Sequence, residues 1–138
     1  MKTSHACFAL ALLGAIPAQT LVWSVIGRDP DIYVEGSVVV LGDVNRDGVP
    51  DLANVVQVYG STPSQYCSQV WTLSGVTGSR LQTFCPDTAD WGVYDLTAMG
   101  DVDGDGFPDF AVSLISQYHP QTIVRVVSWR TGASLWEV

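Results

Sequence analysis

Two stretches, GDVNRDGVPDL at residues 42–52 and GDVDGDGFPDF at residues 100–110, govern the reading of the whole chain. They start 58 residues apart and agree at seven of eleven positions, which marks an internal repeat. Each follows a short apolar run, Val38–Leu41 or Leu96–Met99, and leads into another, Leu52–Val58 or Phe110–Ile115. Gly48 and Gly106 stand where the backbone must turn sharply, since glycine reaches positive φ at no steric cost. Each stretch therefore predicts a tight loop between two strands.

The residue types at alternate positions specify a chemistry. Calcium takes six to eight oxygens, at about 2.3–2.6 Å, chiefly from carboxylates and carbonyls. In the first loop Asp43, Asn45, Asp47 and Asp51 supply side-chain oxygens, and Val49 supplies its carbonyl. In the second the same roles fall to Asp101, Asp103, Asp105, Asp109 and the carbonyl of Phe107. The expectation is two calcium ions, one per loop, with tighter binding at the second because Asp103 stands where the first has Asn45. A single Asp-rich turn is as often only a turn, but two full copies favour metal. An EF-hand is excluded: it needs a bidentate Glu at position twelve and flanking helices, and that position is Asn54 or Val112.

Outward from the loops the pattern stays β. Residues 74–84 resemble 129–136, with Thr77-Gly78 matching Thr131-Gly132 as hairpin turns. Leu21–Val25 reads as the second strand of such a hairpin, so the chain is expected to begin inside one repeat and stop inside another. Helical periodicity is absent, and β-branched and aromatic residues dominate between Gly and Pro breaks, which predicts an all-β fold. Centring the first hairpin on Val76 sets Trp71 opposite Leu81 and Cys67 opposite Cys85, within disulfide reach. A one-residue slip would instead leave two buried thiols.

The N-terminus differs from the rest. Lys2, the apolar run Ala6–Ile16 and Pro17-Ala18-Gln19 read as a secretory signal peptide over residues 1–18, cut after Ala18, with the repeat region over 19–138. About eleven apolar residues are too few to span a bilayer as a helix, so no membrane span is expected. Cys7 leaves with the leader, and the remaining Cys67 and Cys85 suit an oxidising, secreted or cell-surface location. The net charge of −8 argues against nucleic acid as a partner. Half of the fourteen acids are crowded into the two loops, where two divalent ions would cancel four charges.

The loops carry a resemblance. The chain resembles the FG-GAP repeat family, the calcium-loop (VCBS-like) blades of integrin α-subunit propellers and many bacterial secreted proteins. The similarity is strongest in the Gly-Asp-Val-(Asn/Asp)-x-Asp-Gly-x-Pro-Asp segments and weaker in the Thr-Gly hairpins. Trp91-Gly92 matches the Phe-Gly element loosely, against Tyr33-Val34 in the first copy. The Gly-Ala-Pro element is replaced by Val55-Val56-Gln57 and Ser113-Leu114-Ile115. The resemblance implies a partial β-propeller of about two four-stranded antiparallel blades, with the ten loop positions named above as calcium ligands. Because a ring needs about four to eight blades, further repeats of a parent chain are implied.

The function so implied is a secreted, non-catalytic, calcium-binding scaffold for a protein or glycan ligand. The alternative is the propeller portion of a larger secreted hydrolase or lyase. His119 is the one histidine after the leader, and no nucleophile pattern accompanies it. Trp23, Trp71, Trp91, Trp129 and Trp136 could form a glycan platform, but aromatics at strand positions are more often core.

Overall fold

The structure is a computed structural model describing residues 32–58, 67–86, 91–116 and 118–138. The expected leader, the strand over 21–25 and the side chain of Cys67 lie outside the described residues. The described residues form eight strands in order: β1 (Ile32–Gly42), β2 (Asp51–Val58), β3 (Cys67–Leu73), β4 (Arg80–Phe84), β5 (Trp91–Gly100), β6 (Asp109–Ser116), β7 (Thr122–Val127) and β8 (Ser134–Glu137). No helix occurs among the described residues, so none there is long and apolar enough to cross a membrane. The strands form two antiparallel meanders, β1-β2-β3-β4 and β5-β6-β7-β8. Loops 42–51 and 100–109 join the first two strands of each, as the flanking apolar runs require.

The repeat extends to the register. Val40 pairs with Leu52 and Gly42 with Asp51, while Ala98 pairs with Phe110 and Gly100 with Asp109, each pair moved by 58 residues. Leu52↔Leu73 recurs as Phe110↔Val127, where the third strand has moved by 54 because the intervening connection is shorter.

The first hairpin corrects one expectation. Trp71 pairs with Thr83, not Leu81, and Val70 with Phe84. Two features cause the shift. The loop closes through the Ser74 amide on the Ser79 carbonyl (2.8 Å), and Leu81 is an extra residue between Arg80 and Gln82, which pair with Leu73 and Thr72. The second hairpin repeats this, with Ser128 on Ala133 (2.9 Å) and Leu135 as the extra residue. The observed ladder ends at Phe84, short of the exposed Cys85.

Residues paired directly across strands share a face, which shows how the sheets meet. The first sheet buries Ala53, Val55, Val70 and Phe84; the second buries Leu96, Phe110, Val112, Leu114 and Val127. Phe84 meets Phe110 edge-on at 5.7 Å between ring centres, and Ser68 Oγ donates to the Val93 carbonyl (3.0 Å). Trp129 Nε1 donates to Thr72 Oγ1 (3.1 Å). Of the five tryptophans, Trp91 and Trp129 pack against this core, whereas Trp136 is exposed.

These are not equivalent faces. The counterparts of Ala53 and Val55 are Ala111 and Ser113, on the side of the second sheet away from the core. The face of one unit therefore lies on the opposite face of the next. At one edge of this contact Ser37 Oγ donates to Asp95 Oδ1 (2.6 Å), which with the Leu96 amide holds that carboxyl below the ordinary aspartate range.

Candidate metal centre

Both loops are shaped by their own carboxylates. In the first, Asp43 accepts the Asp47 amide on Oδ1 (3.0 Å) and the Gly48 amide on Oδ2 (2.8 Å). In the second, Asp101 Oδ1 accepts Gly104 (2.7 Å) and Asp105 (3.1 Å), and Oδ2 accepts Gly106 (3.0 Å). Asn45 and Asp103 each accept the amide two residues on, from Asp47 (2.9 Å) and Asp105 (3.1 Å). Asp47 and Asp105 do likewise for Val49 and Phe107, both at 2.9 Å. Short polar side chains at alternate positions close such turns locally, so the spacing read as a ligand pattern is also the one that folds the loop.

The last aspartate of each loop is different: Asp51 and Asp109 are each 0% exposed. Asp51 Oδ2 accepts the amides of Val44 (2.9 Å) and Asn45 (3.2 Å), and its Oδ1 accepts Gly75 in the β3–β4 hairpin (2.9 Å). Asp109 repeats this, with Oδ2 on the Val102 amide (2.8 Å) and Oδ1 on Trp129 in the β7–β8 hairpin (3.1 Å). Each carboxylate thus ties the start of its loop to a turn more than twenty residues later in the first unit and twenty in the second. Sequence reasoning assigned these two residues only a metal role. The signal it could have used is the matched Ser74-Gly75 and Ser128-Trp129 pair after the third strands.

Oxygens of Asp101, Asp103 and Asp109 lie within 4.8 Å of one another, and this is the one such cluster of acidic, His or Cys side chains among the described residues. Two oxygens on opposite sides of a calcium ion at about 2.4 Å are about 4.8 Å apart, so this set is compatible with one shared ion. An ionised carboxylate has about four acceptor sites, and the amides named above occupy two at Asp109. Asp105 stands outside this cluster. In the first loop the Asn45 amide nitrogen donates to Asp47 Oδ2 (2.8 Å), an internal bond that a cation would have to replace.

The two loops also touch. Arg46 Cζ lies 4.5 Å from the centre of the Phe107 ring, which stacks on Trp129 at 5.5 Å, and Arg130 reaches the same ring at 5.4 Å. Comparison of this chain with protein-family models, curated proteins and solved structures finds no match.

Proposed function

We propose that this chain is a secreted or cell-surface calcium-stabilised scaffold of the propeller-blade type, non-catalytic, binding a protein or glycan partner. The observation that carries the reading is the convergence of Asp101, Asp103 and Asp109 oxygens within 4.8 Å in a loop whose counterpart recurs 58 residues earlier. The two four-stranded meanders, each with its acidic loop between the first and second strands, support the FG-GAP-like reading. Bound calcium would neutralise crowded carboxylates and lock a turn that is already formed by Asx bonds, a structural role. Asp101, Asp103 and Asp105 with the buried Asp109 hold the second ion; Asp43, Asn45, Asp47 and Asp51 hold the first. Further repeats of the same kind complete the assembly.

Calorimetric titration with calcium is expected to give two ions per chain, the tighter belonging to the second loop. Saturation at about a hundred times Kd adds roughly 2.7 kcal/mol per site, a rise in Tm on the order of 10 °C for a chain of this size. Asp105→Ala should reduce the stoichiometry from two to one. Superimposable melting curves in calcium and in EDTA would refute the reading.

A further inference from the structure

We infer that one ordered water molecule sits between the two sheets and bridges the Ser128 hydroxyl of the second unit to the Thr72 hydroxyl of the first. Ser128 is 0% exposed, and its Oγ makes no hydrogen bond to any described residue. A buried hydroxyl without a partner bears its full desolvation cost, so folded chains nearly always supply one, from protein or from water.

The repeat shows that the turn itself does not impose this. Ser74 is the equivalent residue, and the two hairpins close alike: the Gly78 and Gly132 amides donate to the Ser74 and Ser128 carbonyls, both at 2.8 Å. Ser74 Oγ nevertheless accepts the Thr77 amide (3.3 Å), a bond that Ser128 Oγ does not make with Thr131. The surroundings differ. The Ser128 hairpin rests on the first sheet, where Trp129 Nε1 donates to Thr72 Oγ1 (3.1 Å).

A small cavity lies at that contact, walled chiefly by Thr72, Gln82 and Phe84 of the first unit and by Phe110, Ser128 and Trp129 of the second. It leaves about 10 Å³ for the centre of a water molecule, close to the least that holds one. That size excludes an organic ligand, and no carboxylate among the described residues lines the wall to attract a bare cation. A buried water needs about two to four polar partners, and the wall offers them. Ser128 Oγ can both donate and accept. Thr72 Oγ1 accepts from Trp129 and keeps its own proton to donate. Gln82, paired with Thr72 across the strands, brings a third polar side chain. A water-mediated bond is nearly as favourable in enthalpy as a direct one. The second unit's hairpin is thus held to the first sheet twice, once through Trp129 and once through water, with no part played by the acidic loops.

A crystal structure of the full chain, fine enough to show ordered solvent, should place one water oxygen within about 2.5–3.0 Å of both Ser128 Oγ and Thr72 Oγ1. Urea unfolding of Ser128→Ala supplies the energetic sign. A hydroxyl with no partner is better removed, so a dry site gives an unchanged or raised midpoint; the bridge gives a lowered one. Solvent density missing from the cavity, or Ser128 Oγ bonded to a protein group instead, overturns the inference. So does a Ser128→Ala midpoint at or above that of the wild type.

Discussion

Loops 42–52 and 100–110 share a backbone and differ in what surrounds them. The seven shared residues include the glycines and aspartates that build the turn, and the left-handed positions coincide: Gly42 with Gly100, Arg46 with Gly104, and Gly48 with Gly106. The four that differ are Asn45/Asp103, Arg46/Gly104, Val49/Phe107 and Leu52/Phe110. Three of these pairs place a residue in the contact between units: Arg46 of the first loop lies over Phe107 of the second, and Phe110 meets Phe84. Identity between the copies thus marks what a loop needs in order to form. Divergence marks on which side of the neighbour it stands.

The largest test of that division removes the shared buried carboxylate. Asp51→Ala leaves three amides without their acceptor and Asp109→Ala leaves two. A buried donor left unsatisfied costs about 1–3 kcal/mol, so both variants should lose several kcal/mol in urea unfolding, Asp51→Ala the more. Calcium-free buffer keeps metal loss out of the measurement. Losses no greater than that of the exposed Asp47→Ala would show that the amide bonds are not what holds the loop to its hairpin.

A smaller effect is expected where the copies differ. Gly75 and Trp129 occupy equivalent places, each with its amide on the buried aspartate. A Cβ on Gly75 would lie 2.0 Å from the Pro50 carbonyl oxygen and 3.1 Å from Val49 Cγ1. The second unit carries Trp129 there, against Phe107 in place of Val49. The small residue and the bulky one are thus matched to different residues at one loop position, Val49 and Phe107. Gly75→Ala should cost about 1–3 kcal/mol, the usual range for overpacking, because backbone cannot move aside as a side-chain tip does. An unchanged urea midpoint would mean the Pro50 segment is free to shift.

Much of this fold was legible beforehand, for a physical reason. Strand–loop–strand units, their antiparallel sense and their repetition follow from local patterns: the short apolar runs Val38–Leu41 and Leu52–Val58 on either side of an acidic loop, and Gly at turning points. The hairpin register was not legible, because a bulge at Leu81 or Leu135 leaves the apolar pattern unaltered while shifting every pair beyond it. The acidic positions were legible as a set, yet the burial of Asp51 and Asp109 depends on amides supplied by Gly75 and Trp129, which no spacing within the loop reveals. Nor could alternation show which face of each sheet is covered. That follows from placing one unit on the next.

The finest test concerns position four of the loops. Arg46 holds φ at +63° where its counterpart Gly104 holds +79°, and a side chain in the left-handed region costs roughly 1–2 kcal/mol. The guanidinium over Phe107 returns part of this, since an exposed cation–π contact contributes about 0.5–1 kcal/mol. Arg46→Gly should therefore be neutral to slightly stabilising, by up to about 1 kcal/mol. Gly104→Ala gains no ring contact and should be destabilising by a similar amount. Repeating Arg46→Gly in a Phe107→Leu background separates the two contributions. There the stabilisation should grow by the energy of the lost cation–π contact, and a gain identical in both backgrounds would show that Arg46 draws nothing from the neighbouring loop.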